Sequence, residues 1–169
     1  MRLAVIRREK IAVELIRRGM RLSVVSQITG FTPKVLRALS REIHDRKAQC
    51  GQLPSTSRIL SKRATHATAT LFAALYLALA GPRIREVIVL SALLKAHDLY
   101  LEFSANLNRQ GLEVEPVDIT QAWILARDIR TGIACFLYCR SCQIHYLFTD
   151  DSRVPGNCPV CTLKKQYAS

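Results

Sequence analysis

The sequence predicts a mainly α protein, a helical body with an N-terminal helix-turn-helix-like segment and a small C-terminal zinc-ribbon-like module. Three observations carry this expectation. Apolar residues recur at helical spacing through most of the chain and are interrupted by Gly and Pro. Positive charge crowds into the N-terminal third. Two Cys-x-x-Cys pairs, Cys139/Cys142 and Cys158/Cys161, stand near the C-terminus with fifteen residues between them.

Charge and size come first. The chain has 169 residues and is 49% hydrophobic, enough for a real core, and carries a formal net charge of +12. Residues 1–65 hold 15 Lys/Arg and 4 Asp/Glu, whereas residues 66–169 hold 10 and 9. A net +11 concentrated in one segment points to a polyanion such as nucleic acid. An acidic membrane surface would call for a lipid anchor or a large apolar face as well.

Residues 4–18 read as a helix with Val5, Ile11, Ala12, Leu15 and Ile16 near one stripe, stopped by Gly19. A short helix from Ser23 ends at Gly30. Thr32 as N-cap and Pro33 at the first helical position open the next, which runs to about Arg46. Two short helices around a glycine turn describe a helix-turn-helix, the alternative being an ordinary helical hairpin with a solvated basic face. Val25, Ile28, Phe31, Val35, Leu36 and Leu39 are its expected core. Lys34, Arg37, Ser40, Arg41 and His44 are expected on its outer face; 34, 37, 41 and 44 follow i, i+3, i+4 spacing and share a face that fits a major groove. The expected DNA-binding residues are Arg17, Arg18, Arg21, Lys34, Arg37, Arg41, Arg46 and Lys47.

Residues 48–65 read as a polar, basic linker that continues the charge with Arg58, Lys62 and Arg63. The most apolar stretch, 67–80, has 14 residues, short of the about 20 that a bilayer-spanning helix needs. It reads as a buried helix, and no membrane partner is expected. A second apolar helix over 83–103 is hydrophobic on more than one face, which calls for burial on all sides, either against a partner subunit or as a fully internal core helix. Asp118 and Gln121 have capping-box spacing and start a helix that ends at Gly132. Trp123 belongs to its core side.

The C-terminal segment reads as strand 133–138, a Cys139–Cys142 knuckle, strand 143–148, a turn through 155–157 and the second knuckle. Two such pairs at this spacing supply the four soft donors of a tetrahedral zinc ion. Two disulfides are the alternative, disfavoured because residues 1–10 are too charged for a secretory signal and a reducing cytoplasm favours a metal. Cys135 reads as a small buried hydrophobe and Cys50 as a loop residue. The four His are scattered, and neither a Gly-rich phosphate loop nor a Ser/His/Asp arrangement appears. No enzyme and no small-molecule substrate is expected. The predicted division is therefore 1–47 as a basic helix-turn-helix-like segment, 48–65 as linker, 66–132 as apolar helical body and subunit interface, and 133–169 as the four-cysteine zinc module.

Several ordered segments resemble the bacterial flagellar transcriptional activator FlhC family: AVELIRRGMRLSVVSQITG, GQLPSTS, LLKAHDLYLE, ITQAWILARDIRTG and both cysteine pairs. The resemblance covers about residues 10–163. It implies a cytoplasmic activator that works in a heteromer with an FlhD-type subunit, binds double-stranded promoter DNA upstream of flagellar operons and activates transcription by RNA polymerase. It also implies one structural Zn2+ on Cys139, Cys142, Cys158 and Cys161. The same residues admit another reading, a zinc-ribbon assembly or RNA-binding interaction protein without promoter specificity. Against RNA, residues 1–65 contain one aromatic, Phe31, and RNA readers usually stack exposed aromatics on bases.

Overall fold

The computed structural model describes residues 2–45, 51–109, 115–151 and 157–162. The chain divides into two compact units, residues 1–53 and 54–169.

The first unit holds three helices, α1 (Arg2–Arg17), α2 (Leu22–Thr29) and α3 (Pro33–His44), each packed on the other two. Its core is Ala12, Leu15, Ile16, Met20, Val24, Val25 and Leu36, all at most 3% exposed. Gly19 and Gly30 both adopt positive φ, 79° and 72°, and at Gly30 this left-handed cap lets the N–H bond back to the Ser26 carbonyl. Thr32 takes the extended N-cap conformation before Pro33, although its side chain makes no capping bond. α3 ends at Asp45, which adopts a positive φ of 48°. The core differs from the sequence expectation at Val35, which is 50% exposed because the adjacent Leu36 takes the inward slot of that helical turn. Val5 is exposed as well; burial on α1 begins only at the second half of the helix.

The second unit starts with α4 (Thr56–Ile59), inside the stretch expected as linker. Ile59 and Leu60 are buried, and Thr56 donates a 2.6 Å hydrogen bond to the carboxylate of Asp128, itself buried. A four-residue helix with a sequence so polar becomes ordered through these tertiary contacts, which local patterning does not reveal. Then follow α5 (Arg63–Ala80), a 3-10 turn (Gly81–Arg85), α6 (Leu90–Arg109), α7 (Ile119–Thr131) and the strands β1 (Ala134–Tyr138) and β2 (His145–Thr149). The strands form an antiparallel hairpin in which Phe136 faces Leu147 and Tyr138 faces His145.

α6 starts seven residues later than the expected 83 and continues to Arg109. Gly81 and Pro82 force the tight turn, and the β-branched run Val87-Ile88-Val89 resists helix. The Tyr76 hydroxyl accepts the Val89 N–H at 3.1 Å and fixes the delayed start. The helix buried nearly all round is α7, not α6. Ile119, Ala122, Trp123, Ile124, Leu125, Ala126 and Ile129 are at most 7% exposed, with α4, α5, α6, the 3-10 turn and β1 around them. The predicted capping box is formed: the Asp118 carboxylate accepts the Gln121 N–H at 2.8 Å, and Gln121 Oε1 accepts the Asp118 N–H at 3.0 Å.

The segment Arg63–Arg85 is, by length and composition, long and apolar enough to cross a membrane, which the shorter count over 67–80 does not reveal. Within the fold its inner stripe, from His66 through Thr70, Phe72 and Ala73 to Tyr76, is buried against α6, α7 and β2. The polar members of that stripe have defined tasks at the cysteine module.

Candidate metal centre and basic helical surface

β1 runs straight into the first knuckle. The Cys139 N–H bonds to the Ile144 carbonyl at 3.0 Å, and the Gln143 N–H returns to the Cys139 carbonyl at 2.8 Å. Closing so tight a loop places Gln143 at a positive φ of 57°. In the second pair Cys158 immediately precedes, and Cys161 lies on, one helical turn over 159–162, where both the N–H and the hydroxyl of Thr162 bond to the Cys158 carbonyl.

The four sulfurs of Cys139, Cys142, Cys158 and Cys161 all lie within 4.8 Å of one another. Across the two pairs, Cys139 to Cys161 is 3.7 Å and Cys142 to Cys158 is 3.5 Å. None of the four is in a disulfide. Sulfurs at the corners of a tetrahedron with bonds of about 2.3 Å are about 3.8 Å apart. The donor set therefore fits one tetrahedral metal ion.

The local electrostatics agree. The Cys142 N–H, aided by that of Ser141, points at the Cys139 sulfur and lowers its pKa from 9.0 to about 6, favouring a thiolate. Burial pushes the Cys142 thiol up, and its hydrogen bond with Cys142 pushes the Cys161 thiol up. Sulfurs this close cannot all ionise together without a cation between them. Cys135, expected to be buried, is half-buried in β1 opposite Phe148, on the other face of the strand from Phe136.

α5 grips this module through one residue of β2. The Leu147 N–H donates to Thr70 Oγ1 at 3.2 Å, and the Leu147 carbonyl accepts from His66 Nε2 at 2.6 Å. His66 and Thr70 are four residues apart and share a face of α5. The His66 ring meets Tyr146 edge-on at 6.3 Å. Tyr146 in turn lies close enough to Cys158 and Cys139 for their charge to add to the rise in its pKa that burial causes. Helix, strand and sulfur cluster are thus joined through adjacent residues.

Burial pulls the His66 pKa below its ordinary 6.5, outweighing the opposing bond to Leu147. Protonation of His66 then favours the unfolded chain. Its contribution to stability is intact above pH 6.5 and is lost as pH falls through the lowered folded value. Urea unfolding followed against pH is expected to show stability declining below 6.5 and a flatter decline in His66→Gln. An equally steep decline in the variant would assign the effect to other groups.

The basic residues singled out from sequence have different fates. Lys34, Arg37 and Arg41 are exposed along α3, and Arg17 is exposed at the end of α1. Arg18 is half-buried and pairs with Glu14 at 2.6 Å. Arg21 donates to the carbonyls of Gly51 and Gln52 at 3.0 and 2.8 Å. Two residues expected on the outer face turn inward: Ser40 is buried, and His44 is half-buried and bonds to the Ile16 carbonyl at 2.7 Å. Arg46, Lys47 and Cys50 lie outside the described residues. Sequence reasoning passes over Arg8, whose guanidinium lies over the Phe31 ring at 5.7 Å from its centroid.

Comparison with known proteins decides the family. The profile of the flagellar transcriptional activator (FlhC) family matches residues 3–168. The chain belongs to the FlhC family. A flagellar transcriptional regulator FlhC from Gallionella capsiferriformans (strain ES-2) is 28% identical over 156 residues, covering 90% of this chain and 81% of that protein. FlhC proteins are thus a family of transcriptional regulators, not an enzyme family. In this FlhC chain the cysteine cluster that could hold a metal is the terminal part of the second unit, and the α3 surface belongs to the first.

Proposed function

We propose that this chain is a DNA-binding subunit of a transcriptional activator, that it acts in the cytoplasm with an FlhD-type partner on flagellar operon promoters, and that it contacts RNA polymerase there. The observation that carries the DNA part is the face of α3. Lys34, Arg37 and Arg41 are exposed on one helical face, α3 is the third helix of a three-helix unit, and its first turn contains no acidic residue. Such a helix fits a major groove, and its cations fit phosphates and guanine edges. Arg17, and with it Arg46 and Lys47 if they extend the same surface, would add phosphate contacts. The bonds of Arg18 and Arg21 suit them better to shaping the unit.

The partner part rests on the second unit. Leu99 and Phe103 are 41% and 49% exposed and stand one turn apart on α6, with Leu101 also 38% exposed. Large apolar groups so displayed suit a protein interface. We keep 1–47, 66–132 and 133–169 as the proposed functional division; of 48–65, the part from Thr56 onward belongs to the packed second unit.

The metal is proposed to be a single structural zinc on Cys139, Cys142, Cys158 and Cys161. Four thiolates leave no open position for water or substrate, so the ion would neutralise the sulfurs and cross-link the hairpin to the 159–162 turn.

A mobility-shift assay on a flagellar promoter fragment, with duplex and single-stranded RNA competitors, tests the function. Promoter DNA should compete best. Preferential competition by RNA would replace the activator with the RNA-binding alternative.

A further inference from the structure

The first unit carries charge that α3 does not account for. Residues 2–10 of α1 are all exposed, and they include Arg2, Arg7, Arg8 and Lys10 against the single acid Glu9. Arg8 differs from the others in being held. Its guanidinium lies over the face of Phe31, 5.7 Å from the ring centroid. Its Nη1 is 3.8 Å from where a Cβ on Gly30 would stand.

Phe31 is itself fixed. Its carbonyl accepts the Ser26 hydroxyl at 2.7 Å, and its N–H approaches the Thr29 hydroxyl at 3.4 Å. The turn between α2 and α3 is therefore an ordered platform, and Phe31 precedes the N-cap of α3 by one residue. A side chain of helix α1 is brought by this platform to the start of the helix that carries Lys34 and Arg37. None of the ion pairs seen among the described residues involves Arg8. A stacked guanidinium keeps its edge N–H groups free for an oxyanion, since the ring occupies only its face.

We propose that Arg8 is a positioning residue for DNA: braced on Phe31 at the α2–α3 turn, it takes a backbone phosphate of the duplex next to the groove that α3 enters. The inference rests on the DNA-binding reading above and deepens it by adding α1 to the contact surface. A phosphate contact orients without reading sequence, so its loss weakens all duplexes alike.

The test uses the full metal-loaded chain with its partner, a flagellar promoter duplex and a random-sequence duplex, over a range of salt. Arg8→Gln should reduce the slope of log K against log salt by about 0.9 and weaken binding roughly tenfold at 0.1 M salt, on both duplexes. Arg8→Lys should keep the slope, because it keeps the charge. Phe31→Leu should weaken binding, and adding Arg8→Gln to it should cost less than Arg8→Gln alone, because the arginine has already lost its brace. Arg8→Gln with an unchanged slope, while Lys34→Ala lowers it, would overturn this inference and leave the DNA reading standing. Slopes unchanged in both variants would overturn both. Thermal unfolding of each variant separates loss of contact from loss of fold.

Discussion

Cys142→Ser is expected to release the metal and unfold the module from β1 to the 159–162 turn while leaving the helices folded. Among the described residues of 134–162 few large groups are buried: Tyr146 and Leu147, with the smaller Ala134, Cys158 and Pro159. A two-stranded hairpin this small is marginal in water without further support. Its cohesion then draws on the sulfur cluster, on packing of the strands against α5 and α7, and on the two bonds by which α5 holds Leu147. Structural zinc on four thiolates contributes on the order of 10 kcal/mol in small domains, and removing one ligand forfeits most of it. Elemental analysis should give one metal per chain in the wild type and none in Cys142→Ser. Hydrogen exchange should show the β1–β2 amides losing protection. Cys135→Ser, outside the cluster, should retain the metal in full. A chelated wild type with β1–β2 protection unchanged would show that the hairpin stands without an ion.

Phe72→Ala is expected to destabilise the second unit by about 3–5 kcal/mol. Phe72 is fully buried on α5 at the centre of an aromatic cluster. It stacks on Tyr76 at 6.3 Å, with ring planes 2° apart, and meets Tyr100 edge-on at 6.0 Å and His97 edge-on at 6.3 Å. The two tyrosines also serve polar ends. Tyr76 accepts the Val89 N–H ahead of α6, and Tyr100 accepts the Val117 N–H at 2.9 Å ahead of α7. The cluster thus fills the space between α5 and α6 and pins the entry of two helices. Truncating its centre leaves a cavity and loosens both pins. The urea midpoint should fall with little change in m, which marks a change in stability, not in the unfolded chain. Tyr100→Phe should cost less, about 1–3 kcal/mol, since it removes one buried acceptor and leaves the packing intact. A midpoint shift in Phe72→Ala no larger than that of an exposed substitution such as Leu77→Ala would contradict this account of the core.

What is legible in the sequence is what local chemistry dictates. Cysteines at Cys-x-x-Cys spacing form knuckles, and the described geometry closes them as the spacing implies. The turn at Gly30, Pro33 at the start of α3, and the Asp118/Gln121 box follow from single-residue conformational preferences, and each stands where those preferences put it. The features hidden from the sequence all involve partners that local spacing does not reveal. Thr56 meets Asp128 across 72 residues, which turns an apparent linker into packed structure. Arg8 meets Phe31, and His44 meets Ile16, so neither role shows in helical spacing. Val35 is apolar and so reads as core, yet the direction of its neighbour Leu36 decides the matter. The delay of α6 to Leu90 needs the Tyr76 hydroxyl, thirteen residues upstream of Val89.

The charge asymmetry has the same character. Its total is visible, but not which cations are already engaged. Arg18 and Arg21 commit part of their hydrogen-bonding capacity to Glu14 and to loop carbonyls. Lys34, Arg37 and Arg41 remain exposed on α3. On this distribution, α3 and not the cation count should govern DNA affinity.

The salt dependence of promoter binding by Lys34→Ala/Arg37→Ala/Arg41→Ala tests that claim most directly. Each lost phosphate contact removes about 0.9 from the slope of log K against log salt. The triple variant, folded and metal-loaded, is expected to bind with a slope smaller by about 2–3 and with affinity reduced more than about a hundredfold at 0.1 M salt. A triple variant with the slope and affinity of the wild type would contradict the placement of the DNA surface on α3.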